Sequence, residues 1–364
     1  MFYGPLLRDG AVAFLYAFYL AFANILLSLH HNTSVMTKGI SILLLALLLS
    51  LHAVLAHAQG EADTVMIETS GNYISIPVTL NGKPKRFILD TGCGAHVVFR
   101  HAIDSTEQIT MNGDSIESSS GKTQVAEQML GCLKVSKYDS DEVVPIYVTA
   151  VDSLMMLRGD GIVGMQYILE HQHMNMKIDV HNKQVIFTKN KHLFDDEVGQ
   201  KMRTKLIDNR VAIKLKMSPG IKTKNVVLDS GCDHLFDLDA KDFDRIMSHK
   251  HRERFMHQVV GEKASNMGGM YGLDNRPITA LKLDKLIIAD LRFHDVDVET
   301  GNESLLGFPF LQAASIVYYY KGKRIKVLPY TAVRDYRIIR QEEKVKRGGY
   351  TIIYNKEKVI ESIL

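Results

Sequence analysis

Apolar and polar residues alternate along most of the chain beyond residue 60, a period of two that marks strands with one buried face. Residues 72–80 (NYISIPVTL) follow this alternation, and Asn81-Gly82 behind them is a strong hairpin-turn signal. A partner strand is predicted over 86–89, running into Asp90-Thr91-Gly92. Further strands are predicted over 143–148, 177–180 and 184–188, the last two joined by a turn at His181-Asn182-Lys183. Helical periodicity is scarce. Its best stretch is 240–260, charged on one side with Phe243, Ile246, Met247 and Phe255 as apolar points. The expected fold class is mostly β.

The pattern also recurs within the chain. Ile88-Leu89-Asp90-Thr91-Gly92-Cys93-Gly94-Ala95-His96 is echoed by Val227-Leu228-Asp229-Ser230-Gly231-Cys232-Asp233-His234. Gly161-Ile162-Val163-Gly164 is echoed by Ser304-Leu305-Leu306-Gly307. Asp90 to Gly164 is 74 residues and Asp229 to Gly307 is 78, so two signals match at matching spacing. Each glycine-ended element is followed by an apolar stretch, a strand, a polar turn containing Lys and another strand. In the second copy these are 314–320, Lys321-Gly322-Lys323 and 324–328. Internal duplication is the expectation. It divides the chain into lobes at 59–188 and 205–330, a polar linker at 189–204 and a charged extension at 331–364, in which 350–354 (YTIIY) is a candidate final strand.

Two apolar runs precede residue 60, at 11–29 and 40–51. Met36-Thr37-Lys38, the second run and Ala56-His57-Ala58 together make the basic start, apolar stretch and small-residue cleavage site of a secretory signal peptide over 36–58. An exported chain starting at Gln59 is expected, in the periplasm, secreted or held at a membrane. The first run is long enough to span a bilayer, which makes 11–29 a candidate membrane tether. The other reading of 1–35 is an over-extended start with Met36 the true initiator.

Composition narrows the chemistry. Among 364 residues, 44 Lys plus Arg against 41 Asp plus Glu leave a net charge of +3, which gives no electrostatic reason to expect nucleic acid as a partner. Three cysteines do not make a disulfide framework, and no Cys/His cluster has zinc-ligand spacing, so no metal or other cofactor is expected. Gly-x-Ser-x-Gly, His-Glu-x-x-His and phosphate-binding glycine loops do not occur.

An apolar strand entering Asp-Thr-Gly, with apolar-apolar-Gly further on, resembles the clan of pepsins and retropepsins. The stretch Asp160-Gly161-Ile162-Val163-Gly164-Met165 is especially similar to bacterial retropepsin-like aspartyl proteases, and the resemblance covers roughly residues 64–330. It implies a two-lobed acid-protease fold with pseudo-two-fold symmetry and an aspartic endopeptidase acting as a monomer on an extended peptide or protein. Asp90 and Asp229 would be the catalytic pair, sharing one proton around a water, since like charges about 3 Å apart do not both ionise. Thr91 and Ser230 would hydrogen-bond across the two-fold axis. Gly92 and Gly231 would let the loops approach. Ile162, Val163, Gly164, Leu305, Leu306 and Gly307 would pack behind them. A flap is expected at Ser120-Gly121 in the first copy, at Gly269-Met270-Tyr271 in the second, or at both.

Each of these residues has a plainer reading. A lone Asp-Thr-Gly is most often an ordinary turn, and the duplication argues against that here. The competing function is a catalytically inactive, acid-protease-like peptide-binding module. Cys93 and Cys232 read as small buried residues or as a disulfide pair, and Cys132 has no repeat partner. As thiols are weak donors, replacing Cys93 or Cys232 by Ser is expected to lower the aspartate pKa, if the new hydroxyl reaches the carboxylate. His96 and His234 read as packing beside the active loops, and His171 and His173 as surface residues.

Overall fold

The computed structural model describes residues 62–364, apart from 118–122, 171–172, 218–220, 249–255, 265–267, 274–276, 348 and 363–364. The tether and signal-peptide segments, and Ser120-Gly121 of the first candidate flap, lie outside the described residues. Strands dominate, in sheets of eight, ten, six and two, so the mostly-β expectation holds.

In the eight-stranded sheet Ile74–Leu80 pairs antiparallel with Lys83–Asp90 about the tight turn at Asn81-Gly82, both with positive φ. Lys83–Asp90 then runs parallel to Gly161–Gly164, with Asp90 opposite Gly164. The burial of Lys83–Asp90 rises toward its end: Lys83 is exposed, and Phe87, Ile88 and Leu89 are buried. Such a strand is covered on both faces, as parallel pairing requires. The ten-stranded sheet repeats the arrangement. Arg210–Met217 pairs antiparallel with Ile221–Asp229, which runs parallel to Leu305–Gly307 with Asp229 opposite Gly307.

The six-stranded sheet joins these layers. Its centre is Asn175–Asp179 against Ala314–Tyr318, with Met176 opposite Tyr318 and Ile178 opposite Ile316. One apolar core runs through all three sheets, with Phe187, Phe236, Phe293 and Phe310 almost fully buried. Burial on this scale is the main favourable term holding the sheets together.

Several elements differ from expectation in extent. The helix beginning at Ala240 ends at Met247, and Met256–Ala264 is a strand, which corrects a helix over 240–260. Asp239 caps that helix by accepting from Asp242 N. Strand pairing of Met256–Ala264 with Pro277–Ile288 overrides the helical pattern there. Within the stretch expected to be a linker, Gln200–Arg203 pairs with Arg324–Pro329 as the edge of the six-stranded sheet. The C-terminal region is a long hairpin, Asp335–Arg347 with Tyr350–Glu361, so the expected strand at 350–354 extends much further. Its root is fixed to the strand Leu291–Gly301 by Asp335, which accepts from Arg292 Nε and contacts His294 Nε2, each at 2.8 Å.

Candidate active site

Asp90 and Asp229 end their strands at the centre of the molecule, and each begins a tight loop. Asp90 Oδ1 accepts from the backbone N–H of Gly92 at 2.9 Å and Cys93 at 3.1 Å. Asp229 Oδ1 accepts from Gly231 at 2.8 Å and Cys232 at 3.2 Å. The two loops therefore present their carboxyls through the same main-chain contacts.

The loops also interlock. Thr91 Oγ1 donates to Leu228 O at 2.8 Å and accepts from Ser230 N at 3.0 Å. Ser230 Oγ donates to Leu89 O at 2.7 Å and accepts from Thr91 N at 3.0 Å. Both side chains are buried, so these four bonds satisfy groups that have no water to turn to. A β-carbon on Gly92 would stand 2.5 Å from Asp229 Oδ1, and one on Gly231 would stand 2.8 Å from Asp90 Oδ2. Only residues without a side chain permit this approach.

The apolar-apolar-Gly segments lie directly behind. Ile162, Val163 and Gly164 pair with Ile88, Leu89 and Asp90, and Leu305, Leu306 and Gly307 with Val227, Leu228 and Asp229. Gly164 and Gly307 are packed against the carbonyls of Ala95 and His234. Met165 N donates to Cys93 O and Phe308 N to Cys232 O, each at 2.8 Å, closing each loop onto its support.

The electrostatics follow from burial. Burial raises the pKa of both carboxyls. Asp229 rises well above the ordinary range, because the charge of Asp90 and the hydrogen bond between the two carboxyls add to the burial. For Asp90 that same bond acts downward, together with the N–H groups of Gly92 and Cys93 and the charge of Arg210. Two carboxyls this close do not both ionise, so the pair holds one proton between them.

The cysteines take no direct part. All three are free thiols, so Cys93 and Cys232 are not bonded to each other. Burial pushes the Cys93 thiol up to about 12. Cys93 Sγ donates to Ala95 O at 3.2 Å, and Cys232 Sγ lies 3.6 Å from His234 O and 3.5 Å from Asp237 Oδ2. Neither thiol is bonded to an aspartate of the pair, so residues 93 and 232 reach the carboxyls through their main-chain N–H groups and not through their side chains. His96 packs against the Tyr167 ring, whereas His234 Nδ1 makes a polar contact with Asp237 Oδ1 at 3.2 Å.

Of the second candidate flap, Gly268–Gly269 and Gly272–Leu273 form a small hairpin with Met270 and Tyr271 at its tip. The tip reaches the eight-stranded sheet: Met270 O accepts from Asp152 N at 3.3 Å, and Tyr271 OH is 3.0 Å from Thr149 Oγ1. Among the described residues no group of His, Cys, Asp and Glu is arranged to hold a metal.

Arg210 was not singled out by the sequence pattern. The register Ala212 opposite Val227, continued two residues, sets Arg210 across from Asp229. Its guanidinium is paired to Glu303 at 2.6 Å and lies 3.6 Å from Asp208. The same continuation past Ile74 opposite Leu89 sets Tyr73 across from Asp90. The available signal was position: Arg210 begins, and Tyr73 immediately precedes, the strand before an aspartate strand.

Residues 76–167 match a family model described as aspartyl protease. The match takes in Asp90-Thr91-Gly92 and Ile162-Val163-Gly164 and ends before Asp229. It supports the pepsin/retropepsin clan for this stretch and a protease at the level of the family. Comparison with curated proteins gave no match.

Proposed function

We propose that the protein is an aspartic peptidase in which Asp90 and Asp229 act as one pair. The observation that carries this reading is the mutual approach of the two carboxyls, each lying against the glycine of the other loop. A water held between the carboxyls loses a proton to ionised Asp90 as its oxygen attacks the peptide carbonyl carbon. Asp229 gives its proton to the carbonyl oxygen, leaving a neutral tetrahedral diol. Return of a proton to Asp229 re-forms the carbonyl as the carbon–nitrogen bond breaks, and the leaving amine takes the proton held by Asp90. No covalent intermediate forms. The fixed backbone donors and the interlocked hydroxyls mean that the site needs little reorganisation during the reaction.

Both carboxyls come from one chain, so the active species is a monomer. The pattern at 36–58 supports export, with Gln59 as the mature N-terminus, which mass spectrometry of the protein from its host would check. The test of the activity is cleavage of an unfolded protein at mildly acidic pH and its inhibition by pepstatin. Asp90→Asn and Asp229→Asn should each abolish cleavage with the fold intact. Full activity in either variant would overturn the paired mechanism.

A further inference from the structure

Two junctions flank the carboxyl pair. At one, the turn at Gly71-Asn72 meets the Asp229 loop, where Asn72 Nδ2 donates to Asp233 O at 3.1 Å. At the other, the turn at Asp208-Asn209 meets the Asp90 loop, where Gly94 is packed against Asp208 O. The turns are alike in conformation, with φ of 60° at Asn72 and 59° at Asn209. Each leads into the strand that precedes an aspartate strand. They stand on opposite sides of the pair, because each joins one sheet's turn to the other sheet's aspartate loop. An extended peptide laid across the pair runs from one junction toward the other.

The junctions differ in what lies upon them. The C-terminal hairpin leaves the ten-stranded sheet at Asp335 and its far end docks on the Gly71-Asn72 side. Glu343 Oε2 accepts from Gly71 N at 2.9 Å, and Arg347 Nη1 donates to Leu157 O and Arg158 O, both at 3.1 Å. The Arg158 guanidinium stands 5.4 Å from the ring centres of both Tyr73 and Tyr354. Val345, Ile352 and Tyr354 belong to one apolar cluster with Tyr73, Ile88 and Ile162. Ile88 shares the face of Asp90, as residues two apart on a strand do. The hairpin therefore covers the apolar surface next to the catalytic carboxyl, on the side where substrate must lie. Burial there is deep, with Tyr73 1% and Asn72 2% exposed. At the other junction the side chains of Asp208 and Glu303 are 85% and 41% exposed.

We propose that the C-terminal hairpin closes one end of the substrate cleft, so that the enzyme cuts only close to one terminus of a peptide chain. The bonds to main-chain groups at Gly71, Leu157 and Arg158 make the hairpin a wall, not a lid. A substrate extends away from the pair past Arg210 and stops at Tyr354 on the other side. This rests on Asp90 and Asp229 acting as the pair proposed above.

The experiment uses the full chain and linear peptides in which one cleavable bond is moved stepwise from one end to the other, with products identified by mass. Wild type should cut fast when the bond lies near one terminus. The rate should fall more than about tenfold, a difference of about 1.4 kcal/mol in the barrier, as that terminus is lengthened. Lengthening the other terminus should leave the rate unchanged. Arg347→Ala combined with Tyr354→Ala loosens the hairpin end and should remove the asymmetry. Wild type cutting central bonds as fast as terminal ones would overturn the closed end and leave the carboxyl pair standing, and that comparison needs no variant to fold. Asymmetry that persists in the folded double variant would also overturn it. Wild type cutting none of the peptides, nor an unfolded protein, would instead overturn the peptidase reading and this proposal with it.

Discussion

Gly92 lies so close to Asp229 that a β-carbon added to it would stand 2.5 Å from Asp229 Oδ1. The nearest atoms belong to a half-buried carboxyl held by the N–H groups of Gly231 and Cys232, and moving it strains those bonds. Gly92→Ala should therefore push the two carboxyls apart. A misplacement of about 1 Å is enough to lower turnover by about a hundredfold. Stability should fall by about 1–3 kcal/mol, the usual cost of overpacking. Activity assays and denaturant unfolding on the same preparation check both parts.

The interlock makes a second prediction. Thr91→Val keeps the shape but removes the hydroxyl that donates to Leu228 O and accepts from Ser230 N. Two buried main-chain groups lose partners, at about 1–3 kcal/mol for each group left unsatisfied. Thr91→Ser retains both bonds and should stay near wild type. The contrast between Val and Ser in thermal unfolding separates the hydroxyl from the methyl.

The pair also sets a pH dependence. The proposed mechanism needs one proton between the two carboxyls. Burial raises both above the ordinary value of 3.8, so both limbs of the rate profile should lie above it, giving a mildly acidic optimum. For stability the sign is fixed by the same shift. A carboxyl whose folded-state pKa is raised adds stability at pH below its unfolded value, and that stability is lost as pH rises through the raised value. Asp229→Asn should therefore become progressively more stable than wild type as pH rises above the ordinary carboxyl value. Thermal unfolding across that range measures it, and a constant difference would count against the raised pKa.

Arg210 should move the limbs without touching substrate. Among the groups that interact electrostatically with the pair are Arg210, Glu303, Cys93, Cys232 and Tyr318. Arg210 lowers Asp90, so Arg210→Met should shift the acidic limb to higher pH. Glu303 raises Asp229, so Glu303→Gln should shift the alkaline limb to lower pH. The rate profiles of the two variants, recorded against wild type, should thus move on opposite limbs. A purely structural ion pair would lower the rate in both and leave the limbs in place.

Local sequence was a sound guide wherever the backbone itself makes the structure. Residues 184–188 were legible as a strand from alternation alone, and Asn81-Gly82 as a turn from its tolerance of positive φ. The helix from Ala240 was legible at its start, where Asp239 caps it, but not at its end. The strand that follows depends on pairing with Pro277–Ile288, which no local propensity encodes. The cysteines show the same limit: their place after each signature glycine was plain, but only the loop geometry turns Cys93 Sγ toward Ala95 O.

By itself the sequence determined the mostly-β character, because strand alternation is a property of short stretches, whereas the packing of an apolar-apolar-Gly segment behind each aspartate loop was implied by the family resemblance. It also identified Asp90 and Asp229 as the residues to watch. Tertiary structure decided what surrounds them. Arg210 comes to Asp229 through antiparallel register, and Tyr354 comes to Tyr73 through a hairpin rooted far away on the ten-stranded sheet. Residues 73 and 354 are brought together by packing across hundreds of intervening residues, and burial, which raises both carboxyls, exists only once the sheets have closed around them. Contacts of that range depend on the whole chain at once, so no window of sequence carries them.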